Sequence, residues 1–226
     1  MLEHQGGGYK ETGEYQEKTK AWLDQFERIE HVRDALGFPI DPNIRETIVA
    51  LNLSGMPTSA SCEGHTDRGR GAPWVRVEAP SRPRERYVGE SEIVEMVAQK
   101  YHISTEDVRT DRNHKAWKEA TNLAVDNGET PEYQRWREEN KLLQEQLAVF
   151  IEEFYQERVV EEATHLELTP DPEGTSRLHN GGEDSQRSSR ALADDERLRL
   201  ADRLVGYQKE MRAFTEFLKG QYFSTP

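Results

Sequence analysis

The densest grouping of reactive side chains is Thr58-Ser59-Ala60-Ser61-Cys62-Glu63-Gly64-His65. It places hydroxyls, a carboxylate, an imidazole and the only thiol of the chain in one short run. Two chemistries fit. In the first, Cys62 is a nucleophile, His65 its base and Glu63 a second acid/base group, since a thiol reacts as thiolate and needs a partner to take its proton. In the second, the segment binds an anion. Gly64 can adopt positive φ and let successive backbone N–H groups converge, and the loop that follows carries Gly69, Gly71, Arg68 and Arg70. Ser61, Gly64, Arg68 and Arg70 are then ligand-binding candidates, with Trp74, Arg177 and His179 as walls. Plainer readings compete: Cys62 as a small buried hydrophobe, Ser59 and Ser61 serving strand-end backbone groups, and His65 as a solvated loop residue.

Cys62-x-x-His65 is half a zinc motif. No second cysteine or close histidine pair completes it, so no metal is expected unless His165 or His179 closes the site. Gly69-Arg70-Gly71 lacks the lysine of a phosphate loop, and Arg82, Arg84 and Arg86 read as a solvated basic loop.

A helix opened by Asp41 and ending Leu51-Asn52, then Thr58 to Gly64, resembles the tRNA wybutosine-synthesizing protein 3 family over about residues 41–65. Thr58, Ser61, Cys62 and Gly64 fit that pattern. Ala60 and Glu63 stand where it has Ser, and His65 where it has Arg, which removes a bidentate anion donor. The resemblance implies S-adenosylmethionine-dependent methylation of a modified guanosine in tRNA. The Ser-Cys-x-Gly-His ending looks closer to that of uncharacterised bacterial and phage proteins.

The elements around this segment follow from apolar spacing. Trp22, Phe26, Ile29, Val32 and Leu36 predict a helix over about 14–36, ended by Gly37 and Pro39. Asp41-Pro42 opens a second, with Asp41 as N-cap and Ile44, Ile48 and Leu51 on one face. Residues 57–62 and 73–78 read as strands joined by the polar loop 63–71. Helices follow near 91–101, after the capping box at Ser104, and around Trp117 and Leu123. Thr130-Pro131 starts a long helix to about 158 whose seam is Tyr133, Trp136, Asn140, Leu143, Leu147, Phe150 and Phe154. A hairpin over 165–179 turns at Asp171-Pro172-Glu173-Gly174, and Leu200 to Leu218 stripe a last helix over about 190–219. The expected fold is α+β, a small antiparallel or mixed sheet packed with several long helices. Residues 1–12 read as a flexible tail, and 13–226 as one domain with a polar linker near 180–189.

The chain has 226 residues and a formal net charge of -13, so bulk nucleic acid is not an expected partner. The N-terminal residues lack a secretory pattern and no apolar run approaches a membrane span. With one cysteine, this points to a cytoplasmic protein without a membrane partner. The sequence names no cofactor. Three functions remain: binding of a small anionic or nucleotide-like ligand at 58–65, a helical interaction or assembly protein with a homodimer through the 130–158 helix, and a Cys-dependent hydrolase or transferase.

Overall fold

The computed structural model describes residues 13–34, 36–110 and 114–224. The expected tail at 1–12 lies outside them. The strands are β1 (Thr58–Cys62), β2 (Trp74–Val77), β3 (Leu166–Pro170) and β4 (Ser176–Asn180). They form one antiparallel sheet in the order β1-β2-β4-β3. With the helices this is an α+β fold. The chain separates into two compact units. The first holds the residues up to Glu78, 143–171 and those from 176 on; the second holds 79–142 and 172–175.

Residues directly opposite one another in a sheet share a face. Val75 pairs with Leu178 and Leu178 with Leu168, so these face the same side. Val75, Val77, Leu166 and Leu178 are buried in the main core. That core is closed by α1 (Gly13–His31), α2 (Arg45–Leu53), the C-terminal half of α6 (Pro131–Tyr155) and α7 (Asp194–Ser224). The opposite face is polar. One row across it is Cys62, Trp74, His179 and Glu167; the next is Ala60, Arg76, Arg177 and Thr169. Alternation thus sorts the strands into a core side and a side rich in arginine.

In the second unit, α3 (Glu90–Tyr101), α4 (Thr105–Arg109) and α5 (His114–Val125) pack around Val94, Val97, Val108, Ala116 and Ala120. Ser104 caps α4 by accepting the Asp107 N–H. The first half of α6 starts at Thr130, whose hydroxyl accepts the Tyr133 N–H. Asn140, the polar residue of the seam, accepts the Ala79 N–H and donates to the Trp136 carbonyl, while Trp136 Nε1 donates to the Ala79 carbonyl. Further along α6, Leu143, Leu147, Phe150 and Phe154 enter the main core. The seam is therefore covered by the chain itself.

Two local expectations change. α1 stops at His31, and Val32 and Leu36 are exposed. The Asp34 carboxylate accepts the Leu36 and Phe38 N–H groups and turns the chain there. On α5 the buried residues are Ala116, Ala120 and Ala124, whereas Trp117 and Leu123 are exposed. Within the polar stretch 180–189, Asp184, Ser185 and Ser189 are buried. Among the described residues, no helix is long and apolar enough to cross a membrane.

Candidate functional site

β1 carries the segment and ends where Gly64 takes φ +81°. The residue has to be glycine for a packing reason: a Cβ there would lie 2.7 Å from Leu204 Cδ1 and 2.9 Å from the Ala72 carbonyl carbon. The positive φ of Gly64 is real, but it serves close approach to the chain's own side chains. The anticipated backbone anion nest is also filled from within. Glu63 N–H donates to Asp41 Oδ2 (3.2 Å), Gly64 N–H to Cys62 Sγ (3.4 Å) and His65 N–H to the Arg70 carbonyl (2.9 Å).

The loop that follows is fastened to the segment 183–189. Gly71 N–H donates to the Asp184 carbonyl, Ser189 N–H to the Gly69 carbonyl and Ser189 Oγ to the Arg68 carbonyl. Arg70 Nη1 donates to the carbonyls of Ser185 (2.6 Å) and Gln186 (3.3 Å). That segment is held in turn by α7. Arg203 reaches the Asp184 carboxylate through Nε (2.7 Å) and Nη2 (3.0 Å), and the Tyr207 hydroxyl donates to it (2.9 Å).

Two groups of side chains result. The first is Asp41, Cys62 and His65, whose ligand-type atoms all lie within 4.8 Å of one another. His65 Nε2 is 3.1 Å from Asp41 Oδ2 and, facing a carboxylate, carries the hydrogen. Arg68, otherwise exposed, is 3.8 Å from Asp41 Oδ1. Glu63 turns away to accept the Asn43 N–H at 2.9 Å. Asp41 does occupy the N-cap of the turn Pro42–Ile44 but makes no side-chain capping bond, because its carboxylate is committed to Glu63 and His65. Burial pushes the Cys62 thiol up, with Asp41 and Glu63 adding to it against the Gly64 and Arg70 backbone. A thiol held protonated is a poor nucleophile.

The second group lies on the polar face of the sheet. Trp74 stands opposite Cys62 on one side and His179 on the other. The Arg177 guanidinium lies over the Trp74 ring, 5.2 Å from its centroid. Its neighbours include Arg70 and Arg76, and burial together with their charges lowers the Arg177 pKa. Arg76 is paired with Asp171 (3.2 Å), whose charge also acts on Arg177 and opposes that lowering; Arg177 makes no ion pair among the described residues, and its Nε is buried without a hydrogen bond. His179 is fully engaged, between Thr169 Oγ1 (2.7 Å) and the Asn180 carbonyl (2.7 Å).

The structure thus sets Cys62, Trp74 and His179 in one row of the sheet, lays Arg177 over Trp74 with Arg70 among its neighbours, and places His65 beside Cys62. Ser61 is separated from them: it pairs with Val75 and lies on the other face from Cys62. Neither His179 nor His165 closes a metal set, since His179 is engaged and His165 stacks on Tyr155 at 3.8 Å. Asp41 is the residue that sequence reasoning left out of the site, having given it only a capping role. A helix cap and a cysteine-histidine pair in adjacent elements were the available signals. Arg76 was also missed; it shares the Arg177 row, at a strand position facing away from the core. Two cavities lie elsewhere: about 470 Å³ between α1 and α7, lined by Tyr15, Trp22 and Lys219, and about 240 Å³ in the second unit, lined by Arg82, Arg86 and Tyr133. Neither is lined by the 58–65 segment. No family model, curated protein or solved structure matches this chain.

Proposed function

We propose that this chain binds a small anionic ligand of the phosphate or nucleotide class on the polar sheet face beside Cys62, with Arg177 as the principal donor and Arg70 and Arg76 flanking it. One observation carries the reading: a guanidinium fixed over Trp74, among two other arginines, with no ion pair of its own and only the charge of Asp171, which is paired with Arg76, to offset them. Like charges in a partly dry setting repel, and a phosphate or carboxylate placed among them relieves that cost while filling donors in a planar fork. The ring fixes the guanidinium in advance, so little entropy is lost on binding. A net charge of -13 favours a small ligand over a polyanion, which the rest of the surface repels. A cysteine nucleophile has less support, because the Cys62 thiol is held up by burial and His65 is turned to Asp41.

Thermal shift with inorganic phosphate, ATP and S-adenosylmethionine tests this. At least one probe should raise Tm progressively with concentration. Arg177→Gln should weaken that probe by a factor of about ten or more, as for one charge-assisted hydrogen bond. A flat response to all three, or an equal response in Arg177→Gln, refutes the proposal.

A further inference from the structure

We propose that Asp41, Cys62 and His65 form a binding site for a divalent transition-metal ion of the zinc type. Their donor atoms lie within 4.8 Å of one another, the one such grouping of His, Cys and carboxylate side chains among the described residues. Tetrahedral zinc with ordinary bond lengths spaces sulfur, nitrogen and oxygen donors about 3.3–3.6 Å apart. His65 Nε2 and Asp41 Oδ2 are already at 3.1 Å, so an ion enters through adjustments of about an ångström. The donor set decides the kind of ion. A thiolate with an imidazole and a carboxylate suits zinc and its neighbours, whereas magnesium and calcium take oxygen donors.

The surroundings are those of oriented ligands. Cys62 is fixed at the end of a paired strand and its sulfur accepts the Gly64 N–H. Asp41 Oδ2 accepts the Glu63 N–H, and the His65 backbone is tied to Arg70. Such outer contacts set the direction of a ligand's lone pairs before the ion arrives. Asp41 is the telling member. It sits where a carboxylate ordinarily caps a turn, yet it makes no capping bond and points at His65 instead. The donors are also partly screened from water: Cys62 is 9% exposed, and the side chains of His65 and Asp41 are 12% and 23% exposed. Gly69 approaches closely, so that even a Cβ there would lie 3.9 Å from both Cys62 Sγ and His65 Cδ2.

Binding exchanges protons for the ion. The thiol proton leaves to solvent as the sulfur bonds the metal, and the coordinating imidazole nitrogen carries no hydrogen, the ring hydrogen residing on the other nitrogen. Three protein donors are the count of an open zinc site, whose fourth position takes a water or an anion. The inference does not rest on anion binding at Arg177, which uses other side chains.

Cobalt(II) titration of the full chain tests it. The wild type should bind one equivalent and develop a thiolate-to-cobalt charge-transfer band in the near ultraviolet, with visible bands of tetrahedral intensity that zinc abolishes. Asp41→Asn and His65→Ala should each weaken cobalt by more than about tenfold, since ligands matter at least as much as the outer contacts that cost 10–100-fold. Cys62→Ser should lose the charge-transfer band. A wild-type protein without these bands overturns the proposal. So does wild-type cobalt affinity in folded Asp41→Asn and His65→Ala, which would mean adventitious capture by a thiol. If a variant fails to fold by circular dichroism, the wild-type spectrum still decides, because weak octahedral bands without charge transfer exclude the set. Arg177→Gln should keep the full cobalt spectrum, so loss of anion binding and loss of metal binding are read separately.

Discussion

Asp184 and Arg177 are charged groups drawn partly out of water in the same unit, and their surroundings are opposite. The Asp184 carboxylate accepts two bonds from Arg203 and one from Tyr207. Against burial, which would raise it, those bonds hold its pKa low. The Arg177 guanidinium has two like charges near it, a ring beneath it and only the charge of Asp171, already paired with Arg76, to offset them. A charge whose partners are all supplied by the chain builds the fold. A charge placed at a cost and given no ion pair of its own keeps donors for a partner from outside. The two are physically linked, since the Asp184 segment holds the loop that carries Arg70.

The largest effect expected is at the hinge of that loop. Gly64→Ala forces a Cβ into Leu204 and the Ala72 backbone at a left-handed φ, and should cost about 2–4 kcal/mol in denaturant unfolding. A cost under about 0.5 kcal/mol would mean that Gly64 is free to approach a ligand after all. Next is Asp184→Ala, at about 2–3 kcal/mol, because Tyr207 and Arg203 lose a charged acceptor. The same pair has a pH signature. A carboxyl lowered by folding contributes stability that is complete above its unfolded pKa of about 3.9 and disappears as pH falls through the lower folded value. Asp184→Ala should therefore show a flatter loss of stability below about pH 4 than the wild type. Parallel acid profiles would remove Asp184 from the fold-building side of the comparison.

These two clusters differ in how far a sequence reveals them. The strands and the two strand pairs follow from alternation and turn chemistry, which are local, whereas the meeting of Trp74 with Arg177 and His179 comes from the long-range pairing of β2 with β4. The burial of Asp184, Ser185 and Ser189 is not local either. Asp184 is paired by Arg203 and Tyr207 of the next helix, and Ser185 and Ser189 donate to the Gly182 and Arg68 carbonyls; apolar periodicity says nothing about which polar groups find partners. Asp41 was legible as a cap by position, but the choice between backbone and His65 for its carboxylate is made by tertiary contact. On α5, alanines at spacing four form the buried stripe, and the larger Trp117 and Leu123, the stronger apolar signal, lie exposed. α1 looked longer because Val32 and Leu36 continue its stripe; Asp34 ends it by capturing two backbone N–H groups.

A smaller effect is expected at His65. His65→Ala removes one hydrogen bond to a partly exposed carboxylate, and should cost about 1 kcal/mol or less by thermal or denaturant unfolding. The residue would then resemble Arg177 more than Asp184: little used by the fold, available to a ligand. Loss of more than about 3 kcal/mol would move His65 to the structural side.

The smallest effect on stability is expected where the proposed effect on binding is greatest. Arg177→Gln deletes a guanidinium that repels Arg70 and Arg76 and is partly withdrawn from water, which favours the variant. It also deletes the contact with the Trp74 ring, worth about 0.5–1 kcal/mol, which favours the wild type. The two oppose each other and should leave unfolding free energy within about 0.5 kcal/mol of the wild type. Glutamine keeps much of the stem and a donor on the strand, so the row across the sheet is little disturbed. A fold-building arginine behaves differently: Arg203→Gln strips two charged donors from Asp184 and should cost about 1.5–3 kcal/mol. Unfolding curves of the two variants, measured side by side at neutral pH, therefore separate the two kinds of charge. Equal destabilisation would show that Arg177 has a partner inside the fold, and the contrast with Asp184 would collapse.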